Sequence, residues 1–252
     1  MASQLAKLLF GAASALLFLT NAAFADDASD WSASGYADVT SDYRFRGIAQ
    51  NDREPSPQAS LNVLGPEGFY AGTWLSTADW DGRHDPSYEA DFYAGKHSDL
   101  YGTDLNLEAY YYAYPDARFG TAASYYETIA QLAHSLGDFA ATLTGAWSPE
   151  WSLGGGNGYY VEGTASYEVS GWLSLSANLG HQWVDAARSS GSRDYTHWDI
   201  GGTASWHDWS LDVRYVDTDL DSAQCYAFWM GTRNACSATV TAMLTYNVPS
   251  LF

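Results

Sequence analysis

Apolar and polar residues alternate one by one along most of this chain. Across residues 32–46 the odd positions are Ala33, Gly35, Ala37, Val39, Ser41, Tyr43 and Phe45, while the charges Asp38, Asp42, Arg44 and Arg46 all fall on even positions. Confining charge to one face at a period of two is the mark of a two-faced β-strand. Leu105, Leu107, Ala109, Tyr111 and Ala113 alternate in the same way with Asn106, Glu108, Tyr110, Tyr112 and Tyr114. The pattern returns at 159–167, 173–180, 210–215 and 239–248. Less regular strands are predicted at 57–64, 69–78, 88–96, 124–132, 139–148 and 195–204, which brings the total to twelve.

The links between these segments are lopsided. Those at 65–68, 97–103, 133–138, 168–172 and 205–209 are short and carry Gly, Asp or Ser. Those at 47–56, 79–87, 115–123, 149–158, 184–194 and 218–237 are longer and more polar, and the two kinds alternate strictly. Tight turns at one end and long loops at the other describe an all-β, antiparallel, up-and-down transmembrane barrel with short periplasmic turns. A soluble sandwich has no reason to sort its loops by length. Trp172, Trp206 and Trp209 fall at short turns, and Trp74, Trp147, Trp151 and Trp183 near long loops. This is the expected place for two amphipathic belts at the membrane interfaces.

Composition agrees. Aromatic residues make up 16% and charged residues 16%, against about 25% charged in ordinary soluble domains. Residues 1–25 read as a cleaved signal peptide: Lys7, an apolar run over 8–19, and Ala23-Phe24-Ala25 before Asp26. Residues 26–252 then form a single barrel domain, and Phe252 suits a closing strand recognised by the barrel-assembly machinery. The balance of 11 basic against 30 acidic residues, a net charge of −19, excludes a phosphate-neutralising nucleic-acid partner. Cys225 and Cys236 lie eleven residues apart, and export to an oxidising compartment predicts a disulfide between them.

Charges facing lipid cost about 2–4 kcal/mol each near the bilayer midplane, so the charged faces are expected to point inward. The predicted lining is Asp38, Asp42, Glu89, Asp91, Glu108, Tyr110, Tyr112, Glu127, Glu162, Asp199 and Asp212, with Arg44, Arg46 and Arg214 as the bases. It amounts to a ring of acids with a local basic cluster on the first strand. Such a lining makes either a water-filled lumen that concentrates cations or a plugged polar core.

No catalytic set, cofactor or metal site is expected. His181 shares the outward parity of Leu179 and has no partner serine beside it, so it reads as a girdle residue. The run 217–221 alternates carboxylates but lacks the Gly and terminal Glu of a calcium loop. The run 154–158 has no Lys-Ser/Thr continuation for phosphate.

Residues 41–48, Ser-Asp-Tyr-Arg-Phe-Arg-Gly-Ile, resemble the opening block of the TorF-like family of bacterial outer-membrane porins. Residues 68–74, the tyrosine-rich 110–115 and 215–220 followed by the cysteine pair are similar to recurrent segments of that family. Ala49 departs from the block, where Ser is expected. The resemblance implies an outer-membrane barrel of the porin type, with solutes largely unassigned and no catalytic residues. The sequence therefore predicts a passive channel in a Gram-negative outer membrane, in contact with lipid and passing small hydrophilic solutes, cationic or zwitterionic by preference. Its oligomeric state stays open. The alternative is a non-conducting barrel that acts as a structural element, adhesin or receptor through its outer loops.

Overall fold

The structure is a computed structural model that describes residues 31–185, 194–229 and 232–249. The predicted leader and Phe252 lie outside them. Strand β1 (Ser32–Thr40) leads into a hairpin of two short strands, β2 (Arg44–Phe45) and β3 (Ile48–Ala49), and then β4 (Ser56–Leu64). The wall continues through β5 (Phe69–Thr77), β6 (Tyr88–Leu100), β7 (Thr103–Ala113), β8 (Tyr125–Leu136) and β9 (Phe139–Ser148). It is completed by β10 (Gly158–Ser170), β11 (Leu173–Val184), β12 (Tyr195–Trp206), β13 (Trp209–Thr218) and β14 (Thr239–Val248).

Leaving out β2 and β3, twelve strands form one closed antiparallel barrel in which sequence neighbours are sheet neighbours. β1 pairs with β4 on one side and closes the ring against β14 on the other, with Tyr36 opposite Ser60 and Asn247. Closure satisfies every strand's backbone groups and removes the free edges that would otherwise recruit further strands. Twelve strands were expected, and twelve are found.

The alternation becomes a difference between outside and inside. Val39, Leu61, Phe92, Leu107, Leu143, Leu175, Ile200 and Leu244 stand exposed on the outer surface. Their neighbours Asp38, Asn62, Asp91, Glu108, Thr142 and Thr245 are buried in the interior. The short ends are tight turns. Between β6 and β7, Tyr101 and Gly102 have φ of +57° and +84°, the two left-handed residues that a two-residue hairpin needs to match strand twist.

Three expectations are corrected. The strand predicted over residues 32–46 ends at Thr40, where the chain leaves the wall and turns into the barrel. Further on, Arg46-Gly47, at φ +48° and +83°, makes a two-residue turn joining Phe45 to Ile48. Gly47 is required there, because a Cβ would lie 2.6 Å from the Thr218 side chain and 2.7 Å from that of His197. Tyr43, expected on the outer face, is consequently buried inside. Trp147, Trp172, Trp183, Trp206 and Trp209 are exposed near the strand ends as the belts require, but Trp74 and Trp151 are buried against Tyr43 and Tyr125. The last long link contains a helix, α1 (Ser222–Trp229).

Candidate functional site

The interior of the barrel is strongly polar, and each predicted lining residue can be placed in it. Asp38 on β1, Glu89 and Asp91 on β6, Glu108, Tyr110 and Tyr112 on β7, Glu127 on β8 and Glu162 on β10 all face inward and are buried. So do Asp212 and Arg214 on β13, with Asp199 on β12 partly exposed beside them. Asp42, Arg44 and Arg46 also lie inside, but on the loop that enters the barrel and not on a strand. The predicted basic cluster on the first strand therefore does not exist. Arg46 reaches Glu127, Arg44 and Arg214 line one cavity, and each base is tied to acids.

Arg46 reaches the far wall. Its guanidinium makes a two-pronged contact with Glu127 at 2.9 and 2.7 Å and donates to Gln182 on β11 at 2.7 Å. It lies over the Tyr160 ring with 3.8 Å to the centroid. Bidentate geometry is the strongest form of such a pair, and here both partners are buried. Arg44 pairs with Asp42 at 2.6 Å and donates to the carbonyls of Gly47, Ala235 and Ser237. Arg214 is held by Asp199 and by Asp212, the latter at 3.1 Å.

Of the remaining acids, all but Asp38, whose Oδ1 finds no partner among the described residues, are met by tyrosines. Tyr43 and Tyr114 donate to Glu89 at 3.1 and 2.8 Å, and Tyr110 to Asp91 at 3.0 Å. Tyr70 donates to Glu108 at 2.6 Å, Tyr112 to Glu127 at 3.1 Å, and Tyr160 to Glu162 at 2.8 Å. Without such donors a buried carboxylate would bear its desolvation cost unrelieved. The rings also pack on one another. Tyr93 stacks on Tyr110 at 5.1 Å and Tyr112 on Tyr125 at 4.5 Å, while Phe45 of the loop meets Tyr112 edge-on at 5.5 Å. The β5–β8 side of the barrel is thus filled by aromatic side chains and the loop.

The opposite side is lined by small residues. β11 offers Ser174, Ser176, Asn178 and Gly180, β12 offers Gly201 and Thr203, and β14 offers Thr239, Thr241 and Thr245. Toward the short-turn end several of them, including Thr164, Ser174 and Ser176, stay half-exposed. The inward loop and the aromatic side chains lie toward the long-loop end of the barrel.

The last long loop closes over the inward loop. Cys225 and Cys236 are bridged, as expected, and bury themselves against Ile48 and Ala49 of the hairpin. The Ala49 N–H donates to the Ala235 carbonyl at 2.9 Å. Gln182, Tyr160 and Tyr43 were not picked out by sequence reasoning. Inward parity alone would have found the first two; Tyr43 could not be found that way, because the chain has left the wall after Thr40 and both faces of the loop lie inside the barrel.

A family model described as a bacterial protein of unknown function (Gcw_chp) matches residues 24–248. The chain belongs to that family. No curated protein matches it in sequence. Among solved structures, this family member's barrel is similar to the KdgM porin (TM-score 0.56, 8% identity, 86% of this chain and 99% of that one). It is also similar to the NanC porin (TM-score 0.52, 10% identity, 87% and 98%). An outer membrane channel from Pseudomonas putida F1 superposes with TM-score 0.50 at 13% identity, over 88% and 97% of the two chains. At these identities the likeness speaks for the fold alone: a barrel whose chain is spanned almost end to end by this one.

Proposed function

We propose that this barrel is a channel of the Gram-negative outer membrane that passes small hydrophilic solutes and prefers cations, with the inward loop at 41–55 setting its narrowest point. The observation that carries the reading is the pairing of an apolar outer surface with an interior where carboxylates outnumber guanidiniums. A narrow, acid-rich passage in a low-dielectric wall focuses field lines and raises the local concentration of cations. The resemblance to TorF-like porins and the porin-type fold are consistent with it. The lining assigned to such a channel is the set of inward acids and bases described above. Outer-membrane lipid surrounds the barrel, and the assembly machinery of that membrane would install it.

One observation favours a second reading. The loop and the aromatic wall fill the long-loop half so fully that the barrel could be a closed element acting through its exposed loops. Planar-bilayer recording of the refolded chain separates the two. Unitary steps with a cation-selective reversal potential under a salt gradient are expected; a flat trace would establish the closed barrel, and anion selectivity would overturn the charge argument.

A further inference from the structure

Of the three inward arginines, Arg46 is held by the wall without belonging to it. Arg44 takes its carboxylate, Asp42, from its own loop, and Arg214 is a wall residue bound to wall acids. Arg46 stands at the tip of the β2–β3 turn with φ +48°. Asn, Asp or Gly is favoured at that place in a two-residue hairpin turn, so an arginine is kept there at a conformational cost. A strained position of this kind points to a function for its side chain.

The pocket that receives it is complete without the hairpin. Gln182 of β11 donates through Nε2 to the backbone carbonyls of Tyr159 and Trp183, both at 3.1 Å. Carbonyls only accept, so the amide is fixed with Oε1 turned toward Arg46, from which it accepts at 2.7 Å. Glu127 of β8 is held by the Tyr112 hydroxyl at 3.1 Å, and Tyr160 of β10 by Glu162 at 2.8 Å. The Tyr160 ring underlies the guanidinium at 3.8 Å, and the Trp151 ring approaches it at 5.4 Å. Glu127, Gln182, Tyr160 and Trp151 are all buried, and none of them lies on the loop at 41–55.

Two carboxylate oxygens, an amide oxygen and an aromatic face match a planar guanidinium, whose edge meets the oxygens while its face meets the ring. A primary ammonium or an alkali cation is a point charge and cannot satisfy both at once. We propose that this wall pocket is a binding site for solutes carrying a guanidinium group, that Arg46 occupies it as the chain's own substitute ligand, and that such a solute displaces the hairpin and opens the lumen. Exchanging one guanidinium for another never strands Glu127. Any other solute that pulls the hairpin away leaves a buried carboxylate unpaired, and an anionic solute is repelled by it. The role as an opener rests on the channel reading; the existence of the pocket does not.

Phe45 of β2 is half-buried and meets Tyr112 edge-on at 5.5 Å. The chain's two cysteines are bridged, so Phe45→Cys introduces a single reactive thiol that docking covers; Gln50→Cys, on the same loop and buried, serves should the first variant fail to fold. In the folded full-length barrel, labelling by a small thiosulfonate reagent is followed by mass. Labelling requires the undocked loop, so ethylguanidinium chloride at about nine times its dissociation constant is expected to speed it by about tenfold. Ethylammonium chloride and potassium chloride at equal concentration are expected to leave the rate unchanged. Adding Glu127→Gln, or Gln182→Met should that variant not fold, is expected to remove the response to ethylguanidinium whatever the resting rate. Equal acceleration by ethylammonium overturns the site, as does a response that survives either substitution. So does the absence of any response up to about 0.1 M ethylguanidinium, well below the molar range in which guanidinium salts unfold proteins. The same protein in planar bilayers keeps the two readings apart: accelerated labelling without current removes the channel and leaves the site, whereas current with labelling indifferent to ethylguanidinium removes the site and leaves the channel.

Discussion

Arg46→Ala is the perturbation most directly tied to the constriction. Arg46 is the far anchor of the inward hairpin, and it meets Glu127 through two hydrogen bonds at 2.9 and 2.7 Å with both side chains buried. Truncation leaves Glu127 inside the barrel with the Tyr112 hydroxyl donating to it at 3.1 Å. Breaking a buried pair by removing one partner costs about 3–5 kcal/mol, mostly as the penalty on the charge left behind. Loss of stacking on Tyr160 adds to this, at up to about 2 kcal/mol for a desolvated cation–π contact. The cost falls on the docked hairpin alone, because an undocked loop leaves Glu127 open to water. At 1.4 kcal/mol per decade, 3 kcal/mol already shifts the docked-to-undocked ratio by about a hundredfold. The expected result in single-channel recording is larger conductance, more frequent full openings and stronger cation preference, since Glu127 is then unneutralised. The double variant Arg46→Ala, Glu127→Gln should restore part of the docking by removing the stranded charge. Should Arg46→Ala show wild-type conductance and selectivity while still running as a folded barrel on unheated gels, the hairpin would not be the constriction.

Two further outcomes follow from the same geometry. Replacing Cys225 and Cys236 with Ser should leave the barrel folded, because the bridge lies in the last long loop, but should loosen that loop from Ile48 and Ala49; limited proteolysis should then cut within 219–238, with a loss of unfolding free energy of about 2–4 kcal/mol. Leu107→Arg places a charge on the exposed outer face of β7 and should cost about 2–4 kcal/mol if that face meets lipid near the midplane, read as a lower denaturant midpoint in bilayers, whereas an unchanged midpoint would place Leu107 outside the hydrocarbon.

The barrel was legible in the sequence because its information is local. Side-chain parity along a strand needs only neighbouring residues, so Leu107 outside and Glu108 inside could be assigned without knowing what lay opposite. Strand number and loop asymmetry followed from counting such segments. The disulfide was legible because only two cysteines exist.

The lumen's contents were not. Parity carried the first strand through Tyr43 and Arg46, since the hairpin keeps the same alternation until the turn at Arg46-Gly47 reverses the chain. Whether a segment lies in the wall or across the interior depends on contacts with residues far along the chain, such as Arg46 with Glu127 and Ala49 with Ala235. Trp74 and Trp151 were assigned to the interface because they lie near long loops, yet Trp74 has the inward parity of β5 and both pack on buried tyrosines.

By itself, then, the order of amino acids determined a closed sheet with grease outside and charge inside, because alternation is a one-dimensional property. It also determined which residues carry the charges. What tertiary structure alone decided is that these charges are mostly consumed by one another and by tyrosines, and that one loop enters the lumen and packs against its aromatic side. Those facts arise from side chains meeting across the barrel, and the distance they span in sequence puts them beyond any local pattern.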